Sequence, residues 1–555
     1  MPASRAAGLT AVAGLAVVAG AFTVTKAVHM DDTAHLWIAR AIVRDPVHAA
    51  KAMLNWDQVP EPLHALNVPH LFMYLLAVPM RLGAPAEALH LVSVAFAFLA
   101  LWLFWKLAGL LVPAQAVWVT ALLALGPAFL PGLNLMVDVP TLAIWAGFFL
   151  CMALAGREGG QLRDWQACAF AAAGCLIKYT SLVLLPAFVV LAVRRKAWKS
   201  LLALSVPVAT LVAWSAFNWI AYGQIHLFER AGAVASPDGA VLTAVGLAAG
   251  RLPMWILGLG AVSPFAVGFA LQAGRRVLWI CAGAGAAIAA AGLLLPVGDL
   301  REFRDVNATD AVLRGIFFAN GLLVASLIRK ALLARRNGGS PEERSEIDVL
   351  VVWMGCAIAA AVLLAPFPAA RHVLLALPPV LVLLARDFAP PPRRAAGALA
   401  LTAALGVAAA VSDWRRADVY RTEARALSSA GTAWTVGHWG WQWYATQEGM
   451  REYEPGKSRF QPGELVVVPG TIHQQRFTAE DSALLHLVRE ESVPGNALDL
   501  VRTVTGAGGL YYYWAAVPWT LRWGAVEKFR IYEVRPARSS DLDGLATEGK
   551  RRSMD

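Results

Sequence analysis

Charged side chains are scarce in this sequence. Asp, Glu, Lys and Arg together make up 15% of its 555 residues, whereas they make up about a quarter of an ordinary soluble domain. Apolar runs of about 20 residues, the length that a bilayer crossing needs, recur between Ala7 and Val411. This pattern excludes a soluble enzyme, a secreted disulfide scaffold and a disordered regulator. The chain is predicted to be a polytopic α-helical membrane protein.

Recognisable metal, nucleotide and redox motifs are also missing. The sequence contains no HExxH and no CxxC, and Gly456-Lys457-Ser458 is not a phosphate loop because position 451 is Arg rather than Gly. The cysteines all lie in apolar segments and are expected to be small buried hydrophobes rather than disulfide or metal ligands. They are Cys151, Cys168, Cys175, Cys281 and Cys356. No metal site and no nucleic-acid partner is predicted.

Orientation follows from the distribution of cations, because cytoplasmic connections carry an excess of Lys and Arg. With a cytoplasmic N-terminus, every second connection is basic, and the clearest are 194–199, 275–276, 329–336 and 393–394. The first apolar run is too long for a signal-peptide core and is predicted to be an uncleaved helix. Thirteen crossings are predicted, with 164–193 holding either two short spans or one kinked span. The crossings are 7–28, 88–110, 114–131, 139–155, 164–177, 180–193, 200–222, 250–271, 277–296, 311–331, 347–365, 372–386 and 395–411.

With these crossings, the protein is predicted to lie in the plasma (inner) membrane and to consist of three parts. Residues 1–411 form the transmembrane domain, including a first outer loop at 29–87 with interfacial helices. Residues 412–537 form a small extracytoplasmic α/β domain, and the polar tail 538–555 is expected to be disordered. Within the α/β domain, strands are predicted at 434–436, 465–468 and 529–534, with a helix at 479–489.

An acidic pair opens the first outer loop. Asp31 and Asp32 precede apolar residues at helical spacing, which predicts an amphipathic helix lying at the membrane interface. Adjacent aspartates at a helix start are suited to capping the helix and pairing with its dipole, without any catalytic role. Asp138, at the outer start of another crossing, allows the same capping interpretation. A carboxylate at the edge of hydrocarbon is nevertheless costly unless it is paired or solvated, which favours a functional role.

Two cationic positions lie at the same predicted face. Lys178 stands between two short apolar runs, and Arg371-His372 precedes a helix that contains Pro378-Pro379. Snorkelling to lipid headgroups explains an isolated lysine at such a position. Two outer cations beside proline-broken helices also suit a lipid phosphate, which requires charge-assisted donors at headgroup depth.

The order of these motifs resembles a known family. The motifs are Asp31-Asp32 running to Arg40, Asn67-Val68-Pro69-His70-Leu71-Phe72-Met73-Tyr74, Met136-Val137-Asp138-Val139-Pro140, Leu176-Ile177-Lys178-Tyr179-Thr180 and Arg371-His372 through Pro378-Pro379. Together they resemble the GT-C superfamily of integral-membrane glycosyltransferases over about residues 7–390. Within it, the chain is most similar to the group that holds the protein O-mannosyltransferases and the lipid A aminoarabinose transferase.

The resemblance implies a polyprenyl-phosphate sugar donor, a lipid, glycan or protein acceptor, and transfer with inversion on the extracytoplasmic side. Asp31 is the candidate general base, with Asp32 as the alternative because adjacent helical residues point about 100° apart. Asp138 would orient the acceptor or the sugar. Lys178, Arg371 and His372 would bind the donor phosphate.

Three further residues are candidates for substrate binding. His35, one helical turn after Asp31, would fix the Asp31 rotamer or contact the sugar. Arg40 and Tyr179 belong to the motifs that carry the resemblance. A divalent cation beside Asp31 and Asp138 is compatible with the pattern, although no ligand spacing requires one.

Two other functions remain open on the sequence alone. A lipid or glycan transporter or flippase would also keep charged groups at membrane depth, but such proteins commonly contain internal repeats, and none is evident here. A non-catalytic scaffold would use the acidic residues only as helix caps.

Overall fold

The computed structural model describes residues 2–65, 69–228, 244–294, 307–335, 340–505, 508–512 and 517–536. The tail predicted at 538–555 and the motif residues Asn67 and Val68 lie outside the described residues.

The structure is mainly helical from the N-terminus to residue 429. Its helices are α1 (Pro2–Ala21), α2 (Asp32–Arg44), α3 (Leu71–Arg81), α4 (His90–Leu111), α5 (Ala116–Ala124), α6 (Asp138–Glu158), α7 (Gln161–Ile177), α8 (Leu184–Arg194), α9 (Ser205–Tyr222), α10 (Ala244–Val262), α11 (Ala270–Ala273), α12 (Arg275–Leu294), α13 (Ala308–Arg335), α14 (Pro341–Ala359), α15 (Ala370–Val373), α16 (Leu377–Phe388) and α17 (Pro392–Ser429).

Seven helices among the described residues are long and apolar enough to cross a membrane, or eight if one bent pair forms a single span. The bent pair is Ala249–Val262 with Pro264–Gln272, at an angle of 96°. These eight segments overlap eight of the thirteen predicted crossings. The other five predictions, at 7–28, 114–131, 164–177, 180–193 and 372–386, overlap helices whose described apolar stretch is shorter than a full span.

Two breaks in the helical region coincide with Gly or Pro in the sequence. Helix α5 ends at Ala124, before Gly126-Pro127, and turns fill the chain as far as α6. A similar break at 365–369, which contains two prolines, precedes α15. Proline lacks the backbone N–H and disfavours helical geometry in the residue before it. Irregular backbone at membrane depth is tolerated where protein buries it or where it lines a cavity.

The segment 164–193 forms two antiparallel helices rather than one kinked span. Helix α7 ends at Ile177, and the next residue, Lys178, has an extended backbone with φ −154° and ψ 125°. A 3-10 turn then leads into α8. Arg195 Nη2, after α8, pairs with Asp164 Oδ1 near the start of α7 at 2.7 Å. The two helices therefore run back along each other, and their connection places Lys178 at one end of the bundle.

The C-terminal region contains a mixed sheet. Its strands are β3 (Thr432–Thr435), β4 (Arg451–Glu452), β5 (Leu465–Pro469), β6 (Leu485–Pro494) and β11 (Ala525–Val534), in the order β4-β3-β5-β11-β6. Strand β3 is parallel to β4 and β5, whereas β11 is antiparallel to β5 and β6. The other elements are β1 (Met53–Asn55) and β2 (Pro60–Pro62) in the first outer loop, then α18 (Trp439–Gln447), α19 (Ala479–Leu484), β7 (Val501–Arg502), β8 (Val504–Thr505), β9 (Gly508–Gly509) and β10 (Thr520–Leu521).

The predicted helix at 479–489 is correct only in its first part. Helix α19 ends at Leu484, and the chain continues directly as β6. Strand β6 pairs with nearly the whole length of β11, and this long-range pairing overrides the local helical pattern.

The sheet region and the helical region are joined rather than separate. Helix α17 continues without a break through the boundary predicted at 412. Leu510, Tyr511 and Trp519, which follow the sheet region's smaller strands, belong to the same hydrophobic cluster as the bundle helices. The five cysteines are buried and free.

Candidate active site

Four charged side chains form a continuous chain of contacts at one end of the helices. Arg371 Nη1 donates to Asp31 Oδ2 at 2.8 Å and lies 3.6 Å from Asp138 Oδ2. Lys178 Nζ donates to Asp138 Oδ1 at 2.6 Å. The structure thus brings together residues from the start of α2, the start of α6, the break after α7, and α15. The sequence predicted the proximity of these groups.

Asp31 and Asp32 have different surroundings. The Asp31 side chain is 31% exposed, whereas that of Asp32 is fully buried. Asp32 Oδ2 accepts from the His29 backbone N–H at 3.1 Å and thereby satisfies an N–H before the first turn of α2. Asp31 occupies the N-cap position, but its side chain makes no capping hydrogen bond. Asp32 therefore anchors the chain that enters α2, and Asp31 is left facing the cluster.

Asp138 is held by two cations. It is the first residue of α6, and Val137 occupies the cap position, so the carboxylate does not act as an N-cap. Its two oxygens face Lys178 and Arg371, and its side chain is 8% exposed. Because a desolvated carboxylate is costly when it is unpaired, these two partners explain how it remains at this position.

Arg371 and His372 keep unused hydrogen-bonding atoms. Arg371 is nearly buried, and Asp31 and Asp138 raise its pKa above the ordinary value even though burial opposes the charge. Within the described part of the chain, neither Arg371 Nε nor His372 Nδ1 has a hydrogen-bond partner. Buried polar atoms are almost always paired in native proteins. Two unpaired atoms on adjacent residues beside an exposed carboxylate indicate a place for a polar ligand.

A second charged network supports the residues just before Asp31. Lys26 pairs with Asp413, and Lys26 Nζ also donates to Asn134 Oδ1 at 2.5 Å. Tyr511 donates from its hydroxyl to Asp413 Oδ2 at 2.7 Å, and His29 Nε2 lies 3.3 Å from Asp413 Oδ1. We call Lys26, Asp413, Tyr511 and His29 the buried hub. It joins the end of α1, the middle of α17 and the chain after β9.

The buried hub adjoins the four charged residues at two points. His29 is two residues before Asp31, and Met30 between them has a left-handed φ of +49°, which is uncommon for a residue with a side chain. Leu510, next to Tyr511, accepts from the Arg371 backbone N–H at 3.3 Å. The hub therefore restrains the backbone on both sides of the Asp31–Arg371 pair.

Helix α18 of the C-terminal region contacts the backbone at Val28, directly before His29. Tyr444 accepts from the Val28 backbone N–H through its hydroxyl at 2.9 Å. A Cβ at Gly440 would lie 2.2 Å from the Val28 carbonyl oxygen, so this contact requires glycine.

The structure places the three predicted substrate-binding residues in other contacts. His35 Nδ1 is 2.6 Å from the Leu135 carbonyl oxygen, and no hydrogen bond in the described residues links its ring to the Asp31 carboxylate. Burial lowers the pKa of His35, which keeps the ring neutral. The Arg40 guanidinium lies 3.9 Å from the Trp443 ring, so it links α2 to α18 rather than joining the charged cluster.

Tyr179 lies in an aromatic and histidine group beside Lys178. Its hydroxyl contacts His226 Nδ1 at 2.9 Å and accepts from Trp214 Nε1 at 2.9 Å. His70 packs 6.1 Å from His226, and burial together with His226 and His64 lowers the pKa of His70 to about 3.

The arrangement does not suit a divalent cation at the carboxylates. Asp31 and Asp138 each face a cationic side chain, so their charges are already matched. The described residues contain no group of three or more His, Cys, Asp or Glu side chains that could hold a metal ion.

Sequence reasoning missed the buried hub. Lys26 and Asp413 each directly follow an apolar run, and an isolated charge at such a position was the available signal. Their separation of 387 residues hid the pairing.

One family model matches the chain. It is described as dolichyl-phosphate-mannose-protein mannosyltransferase and covers residues 67–221, which include Asp138 and Lys178. No curated protein matches the sequence.

Among the solved structures, two have a partly similar backbone and low sequence identity to this chain. ArnT from Cupriavidus metallidurans bound to undecaprenyl phosphate has 16% identity and a TM-score of 0.39, covering 82% of this chain and 92% of that one. AglB, the archaeal oligosaccharyltransferase from Archaeoglobus fulgidus, in complex with an inhibitory peptide and a dolichol-phosphate, has 14% identity and a TM-score of 0.42. That match covers 75% of this chain and 58% of AglB. Likenesses of this size support no conclusion about substrate. The family match confirms the predicted resemblance to the GT-C superfamily of membrane glycosyltransferases, and the candidate spans make the chain a multi-pass membrane protein.

Proposed function

We propose that the protein transfers a sugar from a polyprenyl-phosphate donor to an acceptor on the extracytoplasmic side of the membrane, with Asp31 as the general base. The observation that carries this proposal is the chain of contacts Asp31–Arg371–Asp138–Lys178, in which the Asp31 carboxylate is partly exposed and the other three side chains are largely buried. The family match, whose description names a dolichyl-phosphate sugar donor, supports a lipid-phosphate-linked donor.

Asp31 suits the base because it combines exposure with a fixed orientation. An acceptor hydroxyl has a pKa far above neutral, so its attack on the sugar benefits from a positioned carboxylate that takes the proton. Asp31 Oδ2 is held by Arg371, and no contact in the described residues occupies Oδ1. Asp32 is a poorer candidate because it is buried and holds the His29 backbone.

Arg371, His372 and Lys178 suit the departing phosphate. As the bond between the anomeric carbon and the phosphate oxygen breaks, negative charge develops on the phosphate, and positioned cations stabilise it. Among the residues that the structure describes, Arg371 Nε and His372 Nδ1 are without hydrogen-bond partners, so a phosphate oxygen would satisfy them. Arg371 could therefore contact the base through one edge and the leaving group through another.

The pairing of Asp138 supports the inverting outcome that we propose. Retention through a covalent intermediate needs a second carboxylate free to attack the anomeric carbon, and Asp138 is engaged by Lys178 and Arg371. A single displacement by the acceptor, with its proton passing to Asp31 and the electron pair of the broken bond passing to the phosphate, inverts that carbon. Asp138 then acts by holding the two cations in place. The acceptor would be a lipid, a glycan or a protein that presents a hydroxyl or amine.

The test is turnover of a radiolabelled polyprenyl-phosphate sugar by purified protein in lipid nanodiscs. Asp31→Asn keeps the size of the side chain but removes the base, and we expect the rate of donor consumption to fall by about 10²- to 10⁴-fold. Asp45→Asn, on the same loop but exposed and bonded only to its neighbours, is the matched control and is expected to keep the full rate. An Asp31→Asn variant that consumes donor at the control rate would remove the base assignment. Lack of donor consumption by the folded unaltered protein would contradict the proposed function.

A further inference from the structure

A cavity of about 360 Å³ lies between α6, α8 and α14 at the opposite end of the bundle from the four charged residues. Helix α6 connects the two places, because Asp138 is its first residue and Met152, fourteen residues later, lines the cavity. At 1.5 Å per residue this separation is about 21 Å. The cavity therefore belongs to a different site, at the end of the bundle that the charge distribution predicts to be cytoplasmic.

The polar side of the cavity is rich in arginine. Arg194, Arg195 and Arg344 line it together with Ser345 and Asp348. Three cations face one carboxylate, so the lining carries a net charge of about +2 at neutral pH, when arginine is always protonated.

The ion pairs around the cavity reduce this excess to about one positive charge, that of Arg344. Arg194 Nη1 pairs with Asp348 Oδ1 at 2.5 Å, and Arg195 Nη2 pairs with Asp164 Oδ1 outside the lining at 2.7 Å. Arg344 is exposed, and its side chain enters no ion pair or hydrogen bond among the described residues.

The nearby acids of α14 are committed to other partners. Glu346 pairs with Arg157 of α6 and, at 2.6 Å, with Arg386 of α16. Glu343 lies 3.9 Å from Arg386. These acids therefore pair with cations that do not line the cavity, and Arg344 keeps its charge for another anion.

The rest of the wall is apolar. Met152, Leu191 and Val349 line it beside the arginines. A guanidinium suits a phosphate because its planar N–H groups match two phosphate oxygens. Arginines at the end of a helix bundle, next to an apolar wall, suit a phosphate attached to acyl chains better than a free ion. Basic pockets between helices on the cytoplasmic side are typical sites for phospholipid headgroups.

We propose that this cavity binds the phosphate headgroup of an anionic phospholipid, with Arg344 as its principal donor. Arg195 donates from Nε to Leu191 and from Nη2 to Asp164, and it would offer its remaining Nη1 to the same phosphate. Arg194 is paired with Asp348 at the rim. Bound there, the lipid would fill the space between α6, α8 and α14.

The experiment is native mass spectrometry of the purified full chain titrated with phosphatidylglycerol, and separately with phosphatidylcholine of the same acyl chains. We expect tighter binding of phosphatidylglycerol. Arg195→Gln with Arg344→Gln should weaken phosphatidylglycerol binding about 25-fold, a factor of roughly five for each arginine, and leave phosphatidylcholine unchanged. The matched control is Arg275→Gln with Arg276→Gln, which removes the same charge from exposed positions at the start of α12 and should keep the affinity.

Two further arms make the result decisive. Arg344→Gln alone breaks no ion pair, so it should fold normally and still lose about fivefold in affinity. Equal losses in the cavity variant and the control would show general surface attraction and overturn the proposal. Millimolar inorganic phosphate should not displace the lipid, and displacement at that concentration would identify a site for free phosphate instead. Lipid binding is measured without sugar transfer, so the outcome is independent of the proposed activity.

Discussion

Two charged networks lie on either side of His29–Asp31, and they differ in how accessible they are to solvent. In the buried hub, Lys26 is 2% exposed, Asp413 is fully buried, and both Asp413 oxygens have partners. In the cluster of Asp31, Arg371, Asp138 and Lys178, the Asp31 side chain is 31% exposed. Buried polar atoms without a hydrogen-bond partner among the described residues occur in both networks, at His29 of the hub and at Arg371 Nε of the cluster. The hub is closed to solvent and stabilises the fold, whereas the cluster is open to a ligand.

The strongest test of this contrast is Lys26→Met. It leaves the fully buried Asp413 without its cation, and we expect the free energy of unfolding to fall by about 3–5 kcal/mol, measured by thermal unfolding in detergent. Lys178→Met is the matched substitution in the open cluster and should cost less, because its partner Asp138 keeps Arg371. Equal losses of stability in the two variants would break the distinction.

Arg371→Lys tests the open cluster through activity. Lysine keeps the charge but cannot contact Asp31 and a phosphate through separate edges, so donor turnover should fall by about 10²-fold while the protein remains folded. Arg415→Lys, which alters a partly exposed pair with Asp499, is the control and should turn over donor normally. If Arg371→Lys retained the unaltered rate, charge alone would be sufficient and the role of guanidinium geometry would be wrong.

Tyr511→Phe should have a smaller effect that reaches both networks. Loss of the hydroxyl removes a hydrogen bond to Asp413, which we expect to cost about 1–3 kcal/mol of stability. Because Leu510 holds the Arg371 backbone, kcat should fall modestly with little change in KM. Tyr222→Phe removes a comparable hydrogen bond to Val47 at an exposed site and serves as the control. A change in KM alone would show that Tyr511 affects donor binding instead.

The smallest expected effect is a pH dependence of thermal stability. It arises from Glu452, which lies where the first outer loop meets the C-terminal region. Burial raises the pKa of Glu452 to about 7, although a hydrogen bond from Gln442 opposes this. The folded state therefore favours the protonated acid, and its stabilising contribution is complete below the unfolded pKa near 4.5 and is lost as the pH rises through about 7. Glu452→Gln should match the unaltered protein in Tm at pH 5 and exceed it at pH 8.5. A Tm difference that is the same at both pH values would contradict this interpretation.

The sequence was most informative where a charge stood in apolar surroundings. Asp31, Asp138, Lys178 and Arg371 could each be identified in this way, and the structure places them together. The choice between Asp31 and Asp32 needed their neighbours, because a helix start alone accommodates either residue as a cap.

Helix lengths and long-range supports were harder to predict. Hydropathy treats 114–131 as one crossing because Gly126-Pro127 barely lowers its average, yet that dipeptide follows the end of α5. The partners of Asp413 lie as far away as Lys26, and no local pattern reports a contact across 387 residues.

The continuity of α17 has a practical consequence. Its 38 residues extend about 57 Å, well beyond a hydrocarbon layer of about 30 Å, and Asp413 lies near its middle. Protease cleavage in the second half of this helix should release no separately folded C-terminal fragment. The C-terminal residues Leu510 and Tyr511 pack in the hydrophobic cluster of the bundle helices, and Tyr511 also bonds to Asp413 of α17. Expression boundaries for this protein should therefore keep residues 392–536 together with the helices before them.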